Sequence, residues 1–296
     1  MKIGLALSGG GAKGAAHIGV LQALKEEGIN IDYISGTSSG SIIATLYACG
    51  YNPYNILYMF NMYCRQIADY DKLLPFKVFN TMFTGKLSIK GLAKGDRLEE
   101  MIKRFCFSKK IIDISDLKMP IAIPTVDLST GEVIYYLNKK VNPQTYQRLN
   151  GEFDDSPSYK YSGNIASIVR SSCSFPGVFE PKTYDSKILI DGGVRVNTPV
   201  SILKSMGADK VIAVTFSKKD TCNTHSNNIV SILLRSFDIM QHQLNDYEVK
   251  KADLVLNVST ENVSLLDGSK TSRIATQGYE IAKRNMSKIK EIVHML

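Results

Sequence analysis

The sequence predicts an α/β fold: a single domain over residues 1–296, built as three α/β/α layers around a central, mostly parallel sheet. Three observations carry this. The chain opens strand, helix, strand, helix over residues 2–46, an order that sets neighbouring strands parallel. Two strands run without a spacer into turns of small residues, Ser8-Gly9-Gly10-Gly11 and Gly36-Thr37-Ser38-Ser39-Gly40, as strands do at the ligand-binding edge of an open sheet. The alternation of strand and helix then persists to the end, and no internal repeat interrupts it.

Each element has its own justification. Residues 2–7 form a short apolar strand. Residues 15–27 place Ala16, Val20, Leu21 and Leu24 on one helical face and stop at Gly28. Residues 31–35 form the second strand, which delivers Ser38 into a tight turn and a helix. Pro53 opens a helix reaching about residue 67. Residues 73–83 are aromatic and aliphatic without clean period, and read either as a lid or acyl-chain wall or as an irregular segment on the core. Whether residues 68–95 form a lid stays open.

Asp96-Arg97-Leu98-Glu99 resembles a capping box, starting a helix to about residue 107. Residues 119–127 and 132–137 form a hairpin, with Pro120 and Pro124 arguing for an edge or twisted position. Residues 138–163 are polar and turn-rich and read as a surface insertion. After these come a helix over 165–172, a strand over 187–190 that stops at Asp191-Gly192-Gly193, and a helix over 200–206. A strand over 210–216, an amphipathic helix over 229–252, a strand over 254–258 and a final helix over 272–294 close the chain.

Apolar content of 44% and charged content of 22% suit an ordinary globular protein. The five cysteines never form a Cys-x-x-Cys pair, which favours free thiols over zinc or redox work. The N-terminus has no leader pattern and no apolar run is long enough to span a bilayer, so a cytoplasmic protein is expected. A net charge of +8 with pI near 9.1 favours anionic surfaces, and peripheral contact with an anionic membrane at its inner face is one way to use it. No nucleic-acid-binding motif is present, and solvated lysine pairs account for most of the charge. Oligomeric state is not readable.

A serine centred in Gly36-x-Ser38-x-Gly40 between strand and helix projects its hydroxyl over a helix N-terminus, which is how a nucleophile is presented; an incidental turn reads the same way. A serine nucleophile needs oxyanion donors and a base. Gly9, Gly10 and Gly11, one strand away at the same edge, are the natural donors because glycine leaves backbone N–H groups unobstructed. The spacing Gly9-x-Gly11-x-x-Gly14 also matches a dinucleotide fingerprint, but the acid expected at the end of the second strand is absent, and Lys13 is followed by Gly14 rather than the Ser or Thr of a P-loop. No cofactor or metal is therefore expected. The four histidines, His17, His225, His242 and His294, lie on helices or in a polar loop, and a satisfied or solvated role is the default for each. Asp191, exposed at a strand end before two glycines, is the alternative base; an Asp-Gly turn accounts for it equally.

Taken together, Gly9-Gly10-Gly11-Ala12-Lys13-Gly14, Gly36-Thr37-Ser38-Ser39-Gly40 and Asp191-Gly192-Gly193, in that order, resemble the patatin-like phospholipases. The segment from Ser172 to Pro181 and Asn197-x-Pro199 add to the likeness, which covers about residues 1–215 and leaves 216–296 as closing strand and helices. One departure is Ser8, where plant storage patatins carry aspartate. The resemblance implies a patatin-like fold and hydrolysis of lipid fatty acyl esters by a Ser-Asp dyad. Ser38 would be the nucleophile, Asp191 the base, Gly9, Gly10 and Gly11 the oxyanion donors, and Lys13, Gly14, Gly36, Gly40, Gly192 and Gly193 supporting motif positions. The alternative is an acyl-chain or membrane-surface binding protein that keeps the architecture without turnover.

Overall fold

A computed structural model describes residues 1–66, 90–151, 156–216, 229–260 and 268–294. The apolar segment 73–83, most of the lid question at 68–95, Lys218, Lys219, Cys222 and His225 lie outside the described residues, as does the side chain of His294.

Nine strands join in one sheet: β1 (Ile3–Leu7), β2 (Tyr33–Gly36), β3 (Ile121–Asp127), β4 (Val133–Leu137), β5 (Ser158–Lys160), β6 (Lys182–Tyr184), β7 (Lys187–Asp191), β8 (Lys210–Phe216) and β9 (Leu254–Val258). The order is β5-β4-β3-β2-β1-β8-β9, with β7 on β3 and β6 on β7. Pairings along β3-β2-β1-β8-β9 are parallel, those of the β3-β4 hairpin and of β7 with β3 and β6 antiparallel. The sheet is thus mixed and mostly parallel, as expected.

Strand alternation sorts the core into two layers. Leu5, Leu7, Ile212 and Val214 face one cluster with α1 (Ala15–Glu26), α2 (Ser39–Ala48), α3 (Pro53–Gln66), α4 (Asp96–Ser108) and α6 (Ile165–Ser172). Ala6, Val211 and Ala213 face the other, with α5 (Pro143–Asn150), α7 (Val200–Ser205) and the end of α8 (Ile229–Val249). Helices α9 (Thr271–Arg284) and α10 (Met286–His294) return to the first layer through Ile274, Ala282 and Ile289. Each fully buried Leu or Ile contributes about 1.5–3 kcal/mol. No helix among the described residues is long and apolar enough to cross a membrane.

Four expectations need correction. β3 is central rather than an edge: β2 pairs with it at Ile121 and Ala122, and β7 takes over at Thr125. Pro124 sits where one partner leaves and the next arrives, so its missing N–H costs no ladder bond. Residues 138–163 are more than a surface insertion, because α5 buries Tyr146 and Asn150 and β5 extends the sheet. The final helix is two, broken at Asn285. Asp96 does not cap α4; Gly95, at φ 79°, is the cap residue, and Glu99 instead binds Ser167 Oγ at 2.6 Å and Lys182 Nζ at 2.5 Å.

Candidate active site

The site lies where β1, β2 and β7 end. Ser38 caps α2 at φ 53° and ψ −124°, a conformation few non-glycine residues adopt and one that costs about 1–3 kcal/mol. The chain can turn this tightly because its neighbours lack side chains. A Cβ on Gly36 would meet Gly40 O at 2.3 Å, and one on Gly40 would meet Leu7 O at 2.5 Å. Gly14 makes the same kind of approach to Ser39. The strain is held by hydrogen bonds from outside the turn: Thr37 N–H donates to Leu7 O, and Ser38 N–H to Ser172 Oγ at 3.1 Å.

Asp191 ends β7 opposite Thr125 and, contrary to the expected exposure at a strand end, is almost fully buried. Its Oδ1 accepts from Gly193 N–H at 2.7 Å, and its backbone N–H donates to Ser174 O. Gly192 has to be glycine, since a Cβ there would meet Pro124 O at 2.4 Å. Burial pushes the carboxyl up to about 7, with the Ser38 hydroxyl and the Gly193 N–H acting in the other direction. Oδ2 closes no hydrogen bond of ordinary geometry. The Ser38 hydroxyl is near enough to favour the charged form of the carboxyl, although no hydrogen bond joins it to Oδ2.

Two hydroxyls of the elbow reach across to the segment after Asp191. Thr37 Oγ1 donates to Val196 O at 2.9 Å and Ser35 Oγ to Pro199 O at 2.7 Å. These latches fix the Asp191 segment against the Ser38 turn.

The glycine loop divides its work. Gly9 N–H donates to Asn197 O at 3.1 Å, so it is not a free donor, contrary to expectation. Gly10 and Gly11 N–H have no acceptor among the described residues, and Gly11 takes φ 57°. Lys13 N–H closes the turn onto Gly10 O. Phe216 packs where a Gly10 Cβ would be, and its ring lies 5.1 Å from that of His17. His17 is buried, its Nε2 bonded to Ser8 O at 2.8 Å, and burial lowers its pKa to about 4, so it supports the loop as a neutral ring. His242 lies 3.5 Å from Asp238 on α8. Neither approaches Asp191 as a triad histidine would. No group of three or more His, Cys, Asp or Glu that could hold a metal ion is found among the described residues.

The structure adds residues that motif reading did not assign. Ser172, the last residue of α6, accepts from Ser38 N–H and donates to Pro124 O at 2.8 Å, joining the Ser38 turn and the strand fork. Arg170, fully buried, donates to Ser174 Oγ at 2.6 Å, to Glu180 O at 2.8 Å and to Lys94 O, and so holds the segment that receives Asp191 N–H. The signal available was a run of small polar residues, Ser171-Ser172-Cys173-Ser174, at a helix C-terminus.

With this geometry the chain can be set beside known proteins. It is 31% identical over 233 residues to the patatin-like phospholipase domain-containing protein ZK370.4 of Caenorhabditis elegans, covering 75% of this chain and 14% of that protein. It is 29% identical over 225 residues to the lysophospholipase NTE1 of Meyerozyma guilliermondii, covering 74% and 13% respectively. The chain therefore spans about a seventh of the length of these relatives. The crystal structure of VipD from Legionella pneumophila aligns over 97% of this chain and 67% of that one, at 15% identity and a TM-score of 0.49. Residues 5–204, which hold the glycine loop, the Ser38 elbow and Asp191, match the family described as patatin-like phospholipase. The chain belongs to the patatin-like phospholipase family.

Proposed function

We propose that the chain is a serine acyl hydrolase that cleaves fatty acyl esters of lipids. Ser38 is the nucleophile, Asp191 its base, and the N–H groups of Gly10 and Gly11 receive the oxyanion. The observation that carries this reading is a serine on a strained elbow over a helix N-terminus, beside a buried carboxyl whose pKa is pushed up to about 7. An ordinary carboxylate is too weak a base for a hydroxyl, whereas one near neutrality matches its task. That two relatives are named a lysophospholipase and a phospholipase-domain protein favours lipid esters as substrates.

In the proposed reaction Ser38 Oγ attacks the ester carbonyl while its proton passes to Asp191 Oδ2. The carbonyl oxygen gains its charge against Gly10 and Gly11, where free N–H dipoles stabilise it most. Collapse expels the alcohol, which takes the proton from Asp191 and leaves an acyl-enzyme. Water then repeats the sequence and frees the fatty acid. The carboxyl is thus neutral whenever the tetrahedral charge is present, so two anions never face each other.

The test is hydrolysis of a short p-nitrophenyl ester by wild type, Ser38→Ala and Asp191→Asn. Each variant is expected to lose at least about a thousandfold in kcat while keeping its fold. Retained turnover in either sinks the dyad. Failure of a fluorophosphonate to label Ser38 in the wild type points instead to a binding protein that keeps the architecture.

A further inference from the structure

Helix α8 is amphipathic with its polar side inward. Gln241 Nε2 donates to Gly193 O at 3.0 Å, Asn245 binds Thr198 and Thr215, and Glu248 accepts from the N–H groups of Val200 and Ser201 at 3.0 Å each. The outward side carries Ile232, Leu233, Ile239 and Met240 at 50%, 62%, 54% and 58% exposure, continued by Leu244 and Tyr247. At 3.6 residues per turn these six fall in one arc of about 140°. Among the residues whose side chains are described, that arc holds Ser236 and Gln243 as its only polar members and no charge, in a chain where 22% of residues are charged.

Position gives the stripe its meaning. Helix α8 follows β8, and its middle reaches the candidate site. Phe237 packs edge-on against Phe175 at 5.0 Å, between the Arg170 segment and Asp191, and Gln241 holds the Asp191 turn itself. Exposed Ile, Leu and Met therefore ride on a helix whose inner side touches the candidate site. An apolar arc that can sink to the headgroup boundary, on a body of net charge +8, suits an anionic bilayer. A second copy of the chain on the same arc would cover the ground beside the site from which lipid must enter.

We propose that the outward face of α8, centred on Ile232, Leu233, Ile239 and Met240, docks this protein onto an anionic phospholipid surface and sets the candidate site against it. This rests on the reading of the chain as a lipid acyl hydrolase. The experiment is flotation of the full chain, carrying Ser38→Ala so that no lipid is consumed, with phosphatidylcholine vesicles containing phosphatidylglycerol. Adding Ile232→Ser, Leu233→Ser and Met240→Ser is expected to weaken partitioning roughly tenfold or more. With Ser38 intact, the same three substitutions are expected to leave short-ester hydrolysis unchanged. The chain has no tryptophan, so Leu233→Trp gives a second readout: its emission should shift to the blue when vesicles are added. Unchanged partitioning, or an unshifted emission, overturns the proposal. So does a dimer that dissociates on the three substitutions without any vesicle binding by the parent, which would make the occupant a second copy. Both binding readouts are independent of turnover, so a failed dyad and a failed docking surface are told apart.

Discussion

Asp191 has one oxygen fixed by Gly193 N–H and one without a geometric partner. If this carboxyl is the base, kcat/KM should rise about tenfold per pH unit below about 7 and level off above it, because only the carboxylate can take the Ser38 proton. A base at the usual carboxylate value would give a flat profile from pH 5 to 8. Stability should run the other way. The folded value lies above the unfolded one, so between about 4 and 7 the unfolded chain is ionised while the folded carboxyl stays protonated. Folding stability from this group is therefore full below that window and lost as pH rises through it. Asp191→Asn should accordingly be inactive yet more stable than wild type at pH 8, by about 1–3 kcal/mol in thermal melts. A variant no more stable there would mean that the carboxyl is not held in its neutral form. The turns that carry Ser38 and Asp191 could be read from spacing, because tight turns at strand ends demand glycines at fixed offsets, while the roles of the two residues came from the family resemblance. The Gly9 role could not, because its N–H is taken by Asn197, a residue almost two hundred positions away in the chain.

Between elements, the site depends on contacts that leave little trace in local pattern. Ser172 ties α6 to the Ser38 turn and to β3 at the point where Pro124 changes partners. Ser172→Ala would leave a half-buried N–H and a buried carbonyl unpaired, at a cost of about 1–3 kcal/mol. With Ser38 as the proposed nucleophile, steady-state kinetics should show kcat down roughly tenfold or more with KM little moved, since the loss is in the geometry of its turn rather than in substrate contacts. An unchanged kcat would remove Ser172 from the positioning set. Most elements were readable because 3.6 and 2.0 periodicities report which face is buried. What misled was local chemistry overridden by tertiary pairing. Pro124 read as an edge or a twisted position until its neighbours were known, and the polar stretch around Pro143–Asn150 hid a helix that buries only Tyr146 and Asn150. A second contact is pure sterics. Gly19 of α1 and Gly278 of α9 let the two helices touch backbone to backbone, and a Cβ on Gly19 would lie 1.8 Å from Ala275 O. Gly19→Ala should force α1 and α9 apart and lower stability by about 3 kcal/mol in denaturant unfolding.

On the scale of the whole molecule, the family match ends at residue 204, but the fold does not. β8 pairs with β1 along its full length, from Ile3 to Leu7, and Ser8 N–H donates to Val214 O. Phe216 sits against Gly10, so the glycine loop is supported by a strand outside the matched region. The turn after Asp191 depends on Gln241, Thr198 on Asn245, and the start of α7 on Glu248. Helix α9 closes over α1, with Tyr279 Oη bonded to Glu26 at 2.7 Å. Hydrogen bonds and packing thus run from each third of the chain into the others, and the expected behaviour is one cooperative unfolding transition for the full chain, as for a single domain. A fragment of residues 1–204 would expose both the open edge of β1 and the face of α1 that α9 covers, and a hydrophobic edge strand left unpaired invites aggregation. The full chain, with 15 tyrosines and no tryptophan, should give a near-ultraviolet circular dichroism signal from packed tyrosines, and the fragment should lose it along with fluorophosphonate labelling of Ser38. A soluble fragment that still labels would mean that the loops of the candidate site are held by residues 1–204 alone, and that β8, α8 and α9 are additions to the site rather than part of its frame.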